Sequence, residues 1–311
     1  MTRLPVTYVV GSSHSGSTLI AFLADQHPDI ASVGETAVKR RIRWEGRAAA
    51  QHCSCGLAID ACPFWAAIFS DVSAAGMPFS VERWRTDYRF EHPWLDFLLT
   101  RETSFMPIRG ARHWAMRHLP VLRKRMARID RTNVAFVQAV LARRGATVFL
   151  DTSKILTRVS YLLDIPEIDL RIVRLARDAR GFAASAKRRG GSAVEAATVW
   201  RNDQAAIDRF LADRPGMPAL LLRYEDLCEQ PLEALRRLWE FCGVGSVEPS
   251  TIIHARNHHI LGNSMRMGDT IEVRLDETWR SRLGQQDERL VLEVAGELNS
   301  RLGYATGMSR T

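Results

Sequence analysis

The sequence predicts an α/β fold, a parallel sheet flanked by helices with an inserted helical and loop segment, and three observations carry that prediction. Short apolar runs recur at residues 6–10, 147–150, 170–175 and 219–222, and continuous apolar runs of this length read as buried parallel strands. Between them lie segments long enough for crossover helices, at 111–144, 155–163, 179–189 and 194–211. Finally, 46% of the 311 residues are hydrophobic, enough to bury the core of one large α/β domain or of two smaller ones; a single domain spanning residues 1–311 is expected. Strands alternating with helices make a parallel sheet covered on both faces. Right-handed crossovers then put the C-terminal ends of the strands on one side, where ligands bind in open α/β sheets.

The first strand runs into "GSSHSGST", residues 11–18, before a helical pattern begins at Thr18. A strand, a glycine-rich turn and a helix N-terminus hold phosphate through backbone N–H groups, as in a P-loop. The lysine that would serve the β- and γ-phosphates of a triphosphate is missing, because Ser17 stands there. Ser12, Ser13, His14, Ser15, Gly16, Ser17 and Thr18 are therefore candidates for a 5′-phosphate group without a bound metal triphosphate.

Residues 39–110 break the strand–helix rhythm. They hold Trp44, Trp65, Trp84 and Trp94, several prolines and a cysteine cluster, and read as an insertion of short helices and loops. Residues 39–145 are expected to wall a substrate pocket, since their tryptophans suit stacking on a sugar or an aromatic ring; they suit a hydrophobic core equally. The run at 147–150 leads to "DTSK", which puts Lys154 at the catalytic edge of the sheet, with Asp151 and Ser153 placed to orient it.

In "RLARDARGFAASAKRRG", residues 174–190, Arg177 follows a strand and Ser185 and Arg189 lie at helical spacings from it. Two arginines and a hydroxyl make a receptor for a second, terminal phosphate. Residues 220–244 read as a strand, a turn ending at Pro231 and an amphipathic helix, and residues 286–302 as a further amphipathic helix.

Lys and Arg exceed Asp and Glu by 8, which fits anionic partners. Basic residues are scattered with no aromatic-basic signature, which argues against nucleic acid. No stretch approaches the about 20 apolar residues of a membrane span, and the first apolar run is too short for a signal-peptide core, so a cytoplasmic protein is expected.

Together the early loop, Arg177 with Ser185, and "RYEDL" around Tyr224 resemble, in order and spacing, the sulfotransferases that use 3′-phosphoadenosine-5′-phosphosulfate (PAPS). "HPDI…GE" and "RDARGFAASAKRR" look most like the tyrosylprotein sulfotransferase branch and related bacterial sequences. The resemblance covers about residues 6–245 without 39–145, and more weakly "GNSMR" and "ETWRSRL". It implies a P-loop-type fold and PAPS as co-substrate, with the loop on the 5′-phosphosulfate and Arg177 and Ser185 on the 3′-phosphate. It also implies Glu35 as general base, Lys154 near the sulfuryl group and Arg266 near the phosphates. A carboxylate is ordinarily a weak base, with a pKa of about 4.3, so that role calls for burial. His14 stands where the family carries lysine or arginine; a neutral imidazole donates one hydrogen bond, and an imidazolium adds a charge. The acceptor expected is a small molecule, glycan or lipid precursor. A small-molecule kinase, or a nucleotide- or RNA-binding protein without catalysis, are the competing readings.

Sulfuryl transfer needs no metal, and none is expected. His52, Cys53, Cys55 and Cys62 offer zinc ligands, but C-x-C followed by a six-residue gap lacks the paired C-x₂-C spacing. Packing beside Phe64 and Trp65, or a disulfide formed by oxidation, is the expected state of these cysteines, and Cys228 and Cys242 read as small hydrophobes.

Overall fold

The computed structural model describes residues 3–37, 52–90, 92–99, 106–248, 253–254, 257–268 and 270–307. Five strands, β1 (Leu4–Val10), β2 (Ile30–Ser32), β3 (Val148–Lys154), β4 (Ile168–Ala176) and β5 (Ala219–Arg223), form one sheet in the order β2-β3-β1-β4-β5. Every pairing is parallel. The strands alternate strictly between two cores. Val6, Tyr8, Val10, Phe149, Leu170 and Ile172 face one side, and Val9, Val148, Leu150, Val173, Leu175 and Leu222 the other. Burial on both faces is why β1, β3 and β4 carry apolar residues continuously, whereas β5 at the sheet edge buries only Leu222 fully.

The second face is covered by helix α1 (Ser17–Ala24), all of whose residues are buried, and by the helix Pro231–Cys242. The first face receives the long helix Pro120–Arg144 and the helix Pro63–Ala74. At the edge of the sheet, Ala179–Lys187, Ala193–Ala212 and the C-terminal helix Gln285–Arg301 pack on one another around Trp200.

Several elements differ from the sequence reading. β2 was not expected, because its three residues are too few to show a period. The segment 111–144 is two helices, Met106–His118 and Pro120–Arg144, because Leu119 precedes a proline and takes extended dihedrals (φ −67°, ψ 127°). The turn before Pro231 is a short helix, Tyr224–Glu229.

In the insertion, Trp65 and Trp84 pack 5.3 Å apart between ring centroids and join Phe79 and Phe136 in the first core. Their hydrophobic role is therefore structural. Trp94 is 63% exposed, and Trp44 lies outside the described residues. Among the described residues, no helix is long and apolar enough to cross a membrane.

Candidate active site

Beyond the C-terminal end of β1 the backbone turns so tightly that glycine is required twice. A Cβ on Gly11 would stand 2.3 Å from the Leu175 carbonyl oxygen of β4, and one on Gly16 would stand 2.6 Å from the Tyr224 ring. Gly16 also has φ +89° and caps α1, while His14 takes the left-handed region without being glycine (φ 62°). Gly16→Ala combines a strained φ with a clash against a buried ring. It is expected to cost about 1–3 kcal/mol and to lower the thermal unfolding temperature; an unshifted melt would show that the loop has room to relax.

The loop splits its hydroxyls between two duties. Ser13, His14, Gly16, Ser17 and Thr18 line a cavity of about 620 Å³. Ser12 and Ser15 do not. Their side chains are buried beneath the loop, where Ser15 Oγ donates to the Ser12 carbonyl at 2.9 Å and Ser12 Oγ accepts from Gln204 at 3.4 Å. Thr18 Oγ1 accepts from the Asn263 N–H at 2.8 Å, tying the loop to residues 261–266 on the opposite wall.

Glu35 and Lys154 meet at this loop. The pairing of β1 with β3 shifts register between Tyr8 and Val10, and Lys154 enters the left-handed region at φ 64°. A non-glycine residue held there stores strain of a kind that clusters at functional sites. The twist brings its ammonium onto Ser17 Oγ at 2.9 Å, the Thr152 carbonyl at 3.2 Å and the Glu35 carboxylate, an ion pair.

Glu35 is fixed from its own backbone. Ser153 Oγ accepts from the N–H groups of Thr36 and Ala37 at 2.9 and 3.0 Å, and Thr36 Oγ1 donates to Asp151 at 2.7 Å. Asp151 is buried and ion-paired with Arg158, whose guanidinium also reaches Asn133 at 2.7 Å. Asp151 and Ser153 therefore hold the chain that carries Glu35, rather than orienting the Lys154 ammonium as expected.

Arg177, Arg188 and Arg189 line the same cavity, together with the carboxylates Glu272 and Asp276. Tyr224 OH donates to the Arg274 carbonyl and accepts from Asp276 N–H, both at 3.1 Å, and its ring lies beneath the Arg177 guanidinium at 4.6 Å. Arg177 donates to the His14 carbonyl at 3.1 Å and to the Asp276 carboxylate at 3.0 Å. Against the penalty of burial, hydrogen bonds from Thr278 and Arg177 hold the Asp276 carboxyl at about 2. Ser185 Oγ accepts from Arg188 and Arg189, each at 3.3 Å.

Arg266 also lines the cavity, but it is buried and one of its nitrogens donates to the carbonyls of His52 and His259 at 2.9 and 3.0 Å. That bracing of the wall is visible only in three dimensions. Arg188, Asn263, Arg274 and Asp276 line the cavity as well and were missed. The double arginine of "KRRG" was the available signal for Arg188 and the weakly matching "GNSMR" that for Asn263; Arg274 and Asp276 sit in a segment without a pattern.

Loss of surrounding water, followed by the charges of Arg189, Lys154, Arg177 and Arg188, pushes the His14 imidazole down to about 4. His14 is thus a neutral hydrogen-bonding group at neutral pH, and positive charge comes from its neighbours. Because the folded value lies below the ordinary one of about 6.5, the unfolded chain takes up the proton first. His14 therefore favours folding above pH about 6.5, and that contribution is lost as pH falls toward 4. An NMR titration should find the ring neutral from pH 8 to 5, and a midpoint between 6 and 7 would contradict this electrostatic picture.

A glycine-rich loop without lysine, a carboxylate–ammonium pair and an arginine cluster share one cavity, and the five-stranded parallel sheet beneath them is a P-loop-type α/β fold. The fold is that of sulfotransferase domains. The sulfotransferase domain of the Synechococcus PCC 7002 olefin synthase superimposes with a TM-score of 0.50 at 18% identity, covering 96% of this chain and 95% of that one. The sulfotransferase domain from the curacin biosynthetic pathway gives 0.53 at 16% identity, covering 98% and 99%. No protein-family model matches the sequence, and no curated protein does.

Proposed function

We propose that this protein is a PAPS-dependent sulfotransferase that moves a sulfuryl group to an acceptor hydroxyl, less readily an amine. The observation that carries the reading is the Lys154 ammonium, which touches the Glu35 carboxylate and the Ser17 hydroxyl at once, in the cavity that Arg177, Ser185 and Arg189 also line. The first group suits the transferring sulfuryl group and the second a terminal phosphate.

The donor set fits PAPS as a substrate. Loop N–H groups, Ser17 and the N-terminus of α1 would hold the 5′-phosphosulfate, and Arg177, Ser185, Arg188 and Arg189 the 3′-phosphate. Glu35 takes the proton as the acceptor oxygen bonds to sulfur, while the bond from sulfur to the 5′-phosphate oxygen breaks and 3′,5′-ADP leaves. Lys154, with His14 as a neutral donor, stabilises the charge that develops on that oxygen. Since Glu35 and Lys154 are paired at rest, acceptor binding has to part them or slide between them. The acceptor is a small molecule, glycan or lipid precursor, and the cavity's described lining comes from outside residues 39–145.

Calorimetric titration with 3′,5′-ADP, against ATP–Mg and AMP, tests the reading. Tight, selective binding of 3′,5′-ADP supports it, after which PAPS turnover is screened over acceptors. Preference for ATP–Mg would favour a small-molecule kinase, a reading that Ser17 in the lysine position disfavours.

A further inference from the structure

Away from the cavity, four side chains of metal-ligand type converge. The ligand atoms of Cys53, Cys55, Cys62 and His258 all lie within 4.8 Å of one another. Cys53 Sγ and Cys62 Sγ stand 3.5 and 3.4 Å from His258 Nδ1, and Cys55 Sγ stands 3.6 Å from Cys62 Sγ. The imidazole is thus that of His258, not the His52 of the sequence reading, and no disulfide links the three cysteines.

These separations have a simple meaning. Zinc bonded tetrahedrally at about 2.3 Å to sulfur and about 2.0–2.1 Å to nitrogen has S···S edges of about 3.8 Å and S···N edges of about 3.5 Å. The edges at 3.4, 3.5 and 3.6 Å lie within about 0.2 Å of those values and no other edge exceeds 4.8 Å, whereas a disulfide requires about 2.05 Å. We propose that Cys53, Cys55, Cys62 and His258 bind one structural zinc ion.

The surroundings are built for it. Gly56 (φ +91°) turns the chain between Cys55 and Leu57, and the Gly56 N–H donates to the Cys53 carbonyl at 2.9 Å, so one tight turn presents two thiols. Cys62 caps the helix Pro63–Ala74. His258 arrives from 196 residues away and is fixed on three sides. Its carbonyl accepts from Trp65 Nε1 at 3.1 Å, its ring stacks on Phe64 at 4.4 Å, and the neighbouring Asn257 carbonyl accepts from Ser54 Oγ at 2.5 Å.

Four protein ligands leave no open position, which marks a closed, structural site rather than a catalytic one. Three thiolates around one dication carry a net negative charge. The Arg266 guanidinium, bonded to the carbonyls of His52 and His259, brings a cation beside ligands on both segments. The ion would thereby rivet residues 52–62 to the segment 257–266, whose last six residues wall the cavity and whose Asn263 holds Thr18. Nothing in this depends on which nucleotide the cavity takes.

The test is elemental analysis of the untagged full chain, purified without chelators from zinc-supplemented medium, followed by cobalt exchange. About one zinc per chain is expected, released by a mercurial thiol reagent, with thiolate-to-cobalt charge-transfer and tetrahedral d–d bands on exchange. Cys62→Ser and His258→Ala should lose those bands. Because such variants can fail to fold, the wild-type result decides. A folded wild-type chain that holds only trace zinc and takes up neither Zn²⁺ nor Co²⁺ under reducing conditions overturns the proposal, as does a band set that survives in folded His258→Ala.

Discussion

Arg177→Ala is expected to weaken binding of PAPS and of 3′,5′-ADP by about 2 kcal/mol or more, roughly 30-fold, while leaving adenosine 5′-phosphosulfate nearly unaffected. The guanidinium sits at the junction of β4 and the helix Ala179–Lys187, largely shielded from water, with its plane over Tyr224 and one edge turned to the cavity. A charge-assisted pair made in such a place is weakly screened, so its loss is costly. The effect should follow the 3′-phosphate, because that group alone distinguishes the two nucleotides. Arg177→Lys keeps the charge but cannot contact the His14 carbonyl, Asp276 and a phosphate together, so it should recover only part of the affinity. Calorimetry on all three ligands checks this. Equal losses for both nucleotides would mean that Arg177 supports the loop through His14 and does not read the 3′-phosphate.

Glu35→Gln should leave the affinity for 3′,5′-ADP intact and lower turnover by about 10²–10⁴-fold. Glutamine preserves the shape held by Ser153 and Asp151, and it still offers an oxygen to Lys154, but it cannot accept the acceptor's proton. Lys154 keeps its bonds to Ser17 and Thr152, so the loop should stay in place. Turnover with a true acceptor that does not change would remove Glu35 as the base. A fall in nucleotide affinity would instead show that the ion pair with Lys154 organises the loop.

Much of this was legible in the chain itself. Continuous apolar runs announced four of the five strands of the sheet, three of them buried on both faces and β5 a partly exposed edge, and the loop glycines sit where close approaches, and at Gly16 a positive φ, exclude a side chain. Ser13, His14, Gly16, Ser17, Thr18, Glu35, Lys154, Arg177, Ser185, Arg189, Tyr224 and Arg266 line one cavity; of these, Glu35, Tyr224 and Arg266 were singled out by the family resemblance and not by local motif or spacing. What spacing could not supply was the partner of each group. That Asp151 and Ser153 grip the backbone beside Glu35, that Ser12 turns beneath the loop toward Gln204, and that His14 is neutral all depend on atoms more than a hundred residues away in the chain. The cysteines show the same division. Three of the four ligand residues lie within one short motif, but the fourth is His258, and only the packing of the segment 257–266 against the insertion brings it there. Residue type and local period determine strands, turns and the chemistry at hand. Charge state, hydrogen-bond partners and ligand sets are properties of distances in space, and the tertiary structure decides them.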